Sequence, residues 1–137
     1  MNKQLHKLAK LRGHVLNELN CLSTAQLNVT PKGFNNNIIW NLGHLVAASQ
    51  LIFYKRAALL LTIDEQYIVP FLPGTKPNRL AEPGEIKIIK ELAVKTLADM
   101  QTDYETKTFT NYTKSENIER VYGIEVLTIE DAIHFLL

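Results

Sequence analysis

Apolar residues recur at Leu5, Leu8, Leu11, Val15, Leu19 and Leu22 in steps of three and four. That spacing predicts one buried helical face over about Lys3 to Leu22. Lys7, Lys10, Asn17 and Glu18 fill the gaps. His6 and His14 fall beside the stripe and read as surface positions, and Gly13 is a mild helix defect of about 1 kcal/mol. From Ile38 onward the pattern changes to nearly continuous apolarity, which predicts a helix buried on most of its circumference. Asparagine at positions 35 to 37 can cap its start, and the apolar run extends to about Leu61. Thr62 to Pro83 then loses all periodicity, with prolines at 70, 73, 77 and 83. Ile68, Val69, Phe71 and Leu72 within it suggest a connection packed across the molecule. A third helix opens near Pro83, a favourable first position, with Ile86, Ile89, Leu92, Ala93, Leu97, Met100 and Tyr104 on its apolar face. Thr108 to Leu127 is polar and reads as a second long connection. Thr128 followed by Ile129-Glu130-Asp131 signals the start of a fourth helix, with acids favoured in its first turn.

These elements predict an all-α chain, a four-helix bundle threaded with long crossover connections. The 137 residues suffice for one core, so a single domain over residues 1–137 is expected. The fourth helix has only about nine residues before Leu137, too few to partner helices of twenty. The expectation is that this last helix is truncated here and continues in the native protein.

Composition narrows the classes. Lys plus Arg number 15 and Asp plus Glu 14, a net charge of +1, which argues against nucleic-acid binding. Lys3, Lys7, Lys10 and Arg12 spread around the first helix and read as a solvated face. The most apolar region, Leu45 to Leu61, is interrupted by Ser49, Gln50, Lys55 and Arg56, so no membrane span is expected. A lone cysteine, Cys21, excludes an internal disulfide. It reads as a packed thiol in a cytoplasmic protein without a signal peptide.

For chemistry, no phosphate-binding glycine loop, paired-cysteine zinc pattern or H-E-x-x-H motif occurs in the sequence. The histidines remain. His44 sits on the apolar helix, where a buried imidazole needs a partner. Two readings stand: a core histidine bonded to a carbonyl or tyrosine, which the local sequence favours, or a metal ligand in a bundle core. Trp40 lies one turn before it on the same face. His134 has Glu130 and Asp131 one turn earlier. Helix-capping acids beside an incidental histidine are the simpler reading; a site shared with His44 is the other.

The block N-N-I-I-W-N-L-G-H-L, Asn36 to Leu45, resembles the second-helix signature of the DinB-like superfamily. Gly74-Thr75-Lys76-Pro77 and the stretch Tyr122 to Ala132 follow in the same order and spacing. The resemblance implies a helical bundle with a divalent metal, zinc or nickel, held by one histidine on the second helix and a pair on the last. His44 matches the first ligand, which reverses the preference above. The other two have no match, since in similar sequences an H-E-x-x-H pair follows the segment equivalent to Ala132–Leu137. The implied function is a metal-dependent transferase or hydrolase acting on a small molecule, with a low-molecular-weight thiol as partner; apart from the resemblance, apolar surface left uncovered by the short fourth helix leads to the expectation of a homodimer. The alternative is a non-catalytic helical module that self-associates and has lost its metal site.

Overall fold

The computed structural model describes residues 3–106 and 108–136. Among them every regular element is helical. The α-helices are α1 (Lys3–Leu19), α2 (Thr24–Leu27), α3 (Ile38–Phe53), α4 (Pro83–Glu105), α5 (Glu116–Tyr122) and α6 (Ile129–Leu136). Three short 3-10 turns, Lys55–Ala57, Glu65–Tyr67 and Val69–Phe71, lie between α3 and α4. No helix among the described residues is long and apolar enough to cross a membrane. The expected continuation past the last helix lies outside the described residues.

Local chemistry sets the helix ends. Ser23 and Gln26 form a reciprocal capping box, with Gln26 N–H donating to Ser23 Oγ at 3.1 Å and Ser23 N–H to Gln26 Oε1 at 2.8 Å. Asn37 caps α3 by accepting from Trp40 N–H at 2.8 Å, as the asparagine run predicts. Pro83 occupies the first turn of α4. α5 ends at Gly123, whose φ of 67° is left-handed and suits a residue without Cβ. Thr128 Oγ1 accepts from Asp131 N–H at 3.1 Å, and the Asp131 carboxylate accepts from Leu127 N–H at 3.1 Å.

α4 packs against both α1 and α3, and α6 also packs against both. α1 and α3 are therefore flanked by the same two partners. The core divides into two apolar clusters. One holds Leu16, Leu19, Trp40, Val46, Phe71, Ile86 and Ile89; the other holds Leu5, Leu8, Phe53, Leu97, Met100, Ile129 and Ile133. Between them each long helix contributes buried polar groups: Arg12, Ser49 with Gln50, and Thr96. Arg12 donates from one guanidinium nitrogen to Ala93 O at 2.9 Å and from the other to Ser49 Oγ at 2.5 Å. Its Nε finds no partner among the described residues.

Several expectations are corrected. The buried stripe of α1 runs Leu5, Leu8, Arg12, Leu16, Leu19, so Leu11 and Val15 are 49% and 45% exposed. Arg12, expected in a solvated face, is 4% exposed. Because α1 stops at Leu19, Cys21 lies beyond the stripe and is exposed. α3 stops at Phe53, not near Leu61, because the chain reverses: Ala58 adopts a left-handed φ of 59°. Leu59 N–H then donates back to Tyr54 O at 2.9 Å. The expected connection after α4 contains α5, whose cap is Ser115.

Candidate functional site around His44

The helix α3 brings Trp40, Gly43 and His44 to one face, at positions i, i+3 and i+4. Opposite them lies the 3-10 turn Val69–Phe71. The Phe71 ring packs onto the helix backbone at Gly43, where a Cβ would stand 2.5 to 2.8 Å from three ring carbons. Real Cβ atoms essentially never stand that close, so any residue other than glycine would have to displace the ring. Trp40 Nε1–H donates to Pro70 O at 3.1 Å, and Thr75 Oγ1 lies 2.9 Å from the same oxygen and 2.7 Å from Leu72 O.

His44 is half-buried. Its Nδ1 is 2.7 Å from Phe71 O, and its ring stacks on Trp40 with centroids 4.9 Å apart and planes 7° from parallel. A carbonyl only accepts, so Nδ1–H is the donor, and in the neutral ring Nε2 then keeps its lone pair. The bond to a backbone carbonyl is the first of the two sequence readings. Among the described residues Nε2 has no hydrogen-bond partner.

The histidine also lines a groove of about 1440 Å³ between α3, α5 and the end of α6. Ala48, Leu51 and Ile52 continue its α3 wall below His44, and Tyr122 and Phe135 face them. Lys55, Arg56, Lys114 and Arg120 give the rim positive charge against Glu116 and Glu119. Glu119 Oε2 accepts from Lys114 Nζ at 2.8 Å and holds that ammonium above its ordinary value. A second cleft of about 390 Å³ lies against Trp40, Pro70, Thr75 and Arg79.

The profile of the DinB superfamily matches residues 7–137. The chain belongs to the DinB superfamily. No curated protein and no solved structure matches it. For a DinB chain the all-helical architecture is as the sequence resemblance implied, and His44 stands on the wall of the groove between α3, α5 and α6.

The described residues contain no group of three His, Cys, Asp or Glu side chains able to hold a metal ion. His134 is exposed and does not line the groove. Glu130 accepts from the Tyr104 hydroxyl at 3.0 Å, and Asp131 is engaged at the start of α6. The grouping of His44, His134 and either acid is therefore not formed. What the sequence did not single out is the Phe71 carbonyl and the role of Gly43. Phe71 in a proline-rich connection and a glycine inside an apolar helix were the available signals.

Proposed function

We propose that this DinB protein is a metal-dependent transferase or hydrolase acting on a small molecule, with His44 Nε2 as one donor to a zinc or nickel ion. The observation that carries the reading is the half-buried imidazole on the groove wall, held through Nδ1 so that Nε2 is free. The described residues fit one donor of a metal site and not the set. A divalent ion held there with further donors would act as a Lewis acid towards a thiol or water. The chain's own part is to hold the imidazole, to wall the reaction with Ala48, Leu51 and Ile52, and to attract an anionic substrate through Lys55 and Arg56. A low-molecular-weight thiol bearing a carboxylate suits that rim. A cytoplasmic location belongs to the same proposal, supported by the single free thiol of Cys21.

Metal content of the purified protein and zinc titration by calorimetry test this. His44→Ala is expected to weaken zinc by more than the roughly 100-fold lost when an orienting partner of a ligand is removed. Equal zinc affinity in wild type and His44→Ala would sink the metal reading.

A second reading, a self-associating helical module without catalysis, is favoured by Leu11 and Val15, exposed one turn apart on α1. Exposed apolar neighbours of this kind drive association. Sedimentation of the wild type is then expected to give a dimer that Leu11→Glu/Val15→Glu converts to monomer. A wild-type monomer at high micromolar concentration removes this reading.

A further inference from the structure

The geometry points to Gly43, Trp40 and the Val69–Thr75 segment as positioning elements that select the tautomer of His44 and so present Nε2 as its reactive nitrogen. A neutral imidazole has one N–H, and the partner of one nitrogen decides the state of the other. Two restraints act on this ring, and further contacts hold the second of them in place. The parallel stack on Trp40, 7° between planes, fixes the plane of the imidazole but permits a half-turn within it. The Phe71 carbonyl, 2.7 Å from Nδ1, chooses between those two orientations, because a flipped ring would set a C–H against the oxygen and forfeit the bond. The carbonyl itself is held in place. The Phe71 ring fills the notch at Gly43, Trp40 Nε1–H holds Pro70 O, and Thr75 Oγ1 bridges Pro70 O and Leu72 O.

Each residue of the W-x-x-G-H pattern then has a distinct task. Trp40 sets the plane and grips the turn, Gly43 admits the turn, and His44 is oriented by it. The inference rests on the metal reading only for its second readout, since the tautomer is measurable in the protein without metal.

Long-range ¹H–¹⁵N correlation on the full chain reads the tautomer directly. The wild type is expected to show His44 with Nδ1 protonated and Nε2 bare. Gly43→Ala, which pushes the Phe71 ring away, is expected to populate the other tautomer and to weaken Zn²⁺ binding on the order of 10-fold. Thr75→Val keeps the core and the notch intact and removes only the hydroxyl bridge. It is expected to shift the tautomer in the same direction by less, and it decides the question if Gly43→Ala does not fold. A wild-type His44 protonated on Nε2 overturns the inference. So does retention of the wild-type signal in both variants with unchanged circular dichroism. If the wild type takes up no Zn²⁺, the metal reading fails while the ¹⁵N signals still decide this one.

Discussion

Arg12→Ala is expected to lower stability by about 3 kcal/mol, while Arg12→Met leaves it unchanged or slightly raised. Both changes delete the same charge, so the contrast separates packing from electrostatics. The guanidinium ends on two neutral oxygens, Ala93 O and Ser49 Oγ. No carboxylate among the described residues pairs with it, and Nε is unsatisfied. Burial without a counter-charge opposes the cation. Its stem, however, fills the space between the two apolar clusters, and alanine would leave that space empty. Methionine refills it without the cost of a buried charge. Neither former partner is orphaned, because Ser49 Oγ–H already donates to Leu45 O at 2.8 Å and Ala93 O lies inside α4. Urea unfolding followed by circular dichroism checks the pair. Equal losses for Met and Ala would show that the charge, not the stem, is what matters.

The same residue shapes alkaline stability. Burial lowers Arg12 from its ordinary value to about 10. Between those values the unfolded chain holds a proton that the folded chain has released, so this residue makes stability rise with pH. Tyr112 acts oppositely. Burial, aided by Asp131 and opposed by Arg56, pushes its hydroxyl up to about 12. Its contribution is complete below the ordinary tyrosine value of 10.0 and is lost as pH climbs towards 12. Tyr54, raised by burial and by its bond to Asp103, has the same sign. Arg12→Met removes the opposing slope, so its stability is expected to fall more steeply than wild type above pH 10 in thermal melts.

Gln50→Leu is expected to cost about 2 to 3 kcal/mol despite the similar volume of the two side chains. Gln50 is fully buried, and its amide reads one residue twice. Nε2 donates to Thr62 Oγ1 at 2.8 Å, and Oε1 accepts from Thr62 N–H at 2.8 Å. Leucine would leave a backbone N–H and a hydroxyl without partners in a part-buried setting. Thr62→Val added to Gln50→Leu should recover the hydroxyl share and leave the N–H share. An unaltered unfolding midpoint in Gln50→Leu would mean that water replaces the amide at Thr62.

This clasp also explains why the end of α3 was not legible. Lys55 to Leu61 continues an apolar run, and periodicity extends the helix through it. The reversal depends on Gln50 meeting a residue twelve positions away, and on Ala58 entering the left-handed region. Neither leaves a local mark, and Leu60 ends 92% exposed. Arg12 was misplaced for a related reason. A helical stripe drawn through leucines and valines skips a charged residue, although Leu5, Leu8, Arg12, Leu16 and Leu19 are equally well spaced. The capping box at Ser23 and the Ser115 cap were local and could have been read.

His44 divides in the same way. From the sequence alone followed the three long helices and the start of the last one, an asparagine cap within positions 35 to 37, and an imidazole in an apolar setting that had to find a partner. Those are consequences of period, capping chemistry and the cost of burying polar groups, all local. The identity of the partner came only with the tertiary structure. The Phe71 carbonyl arrives from 27 positions away in the chain, through a notch that exists because residue 43 has no Cβ. A hydrogen bond between distant segments is fixed by how helices and turns pack. Packing therefore decided which nitrogen of His44 is left free.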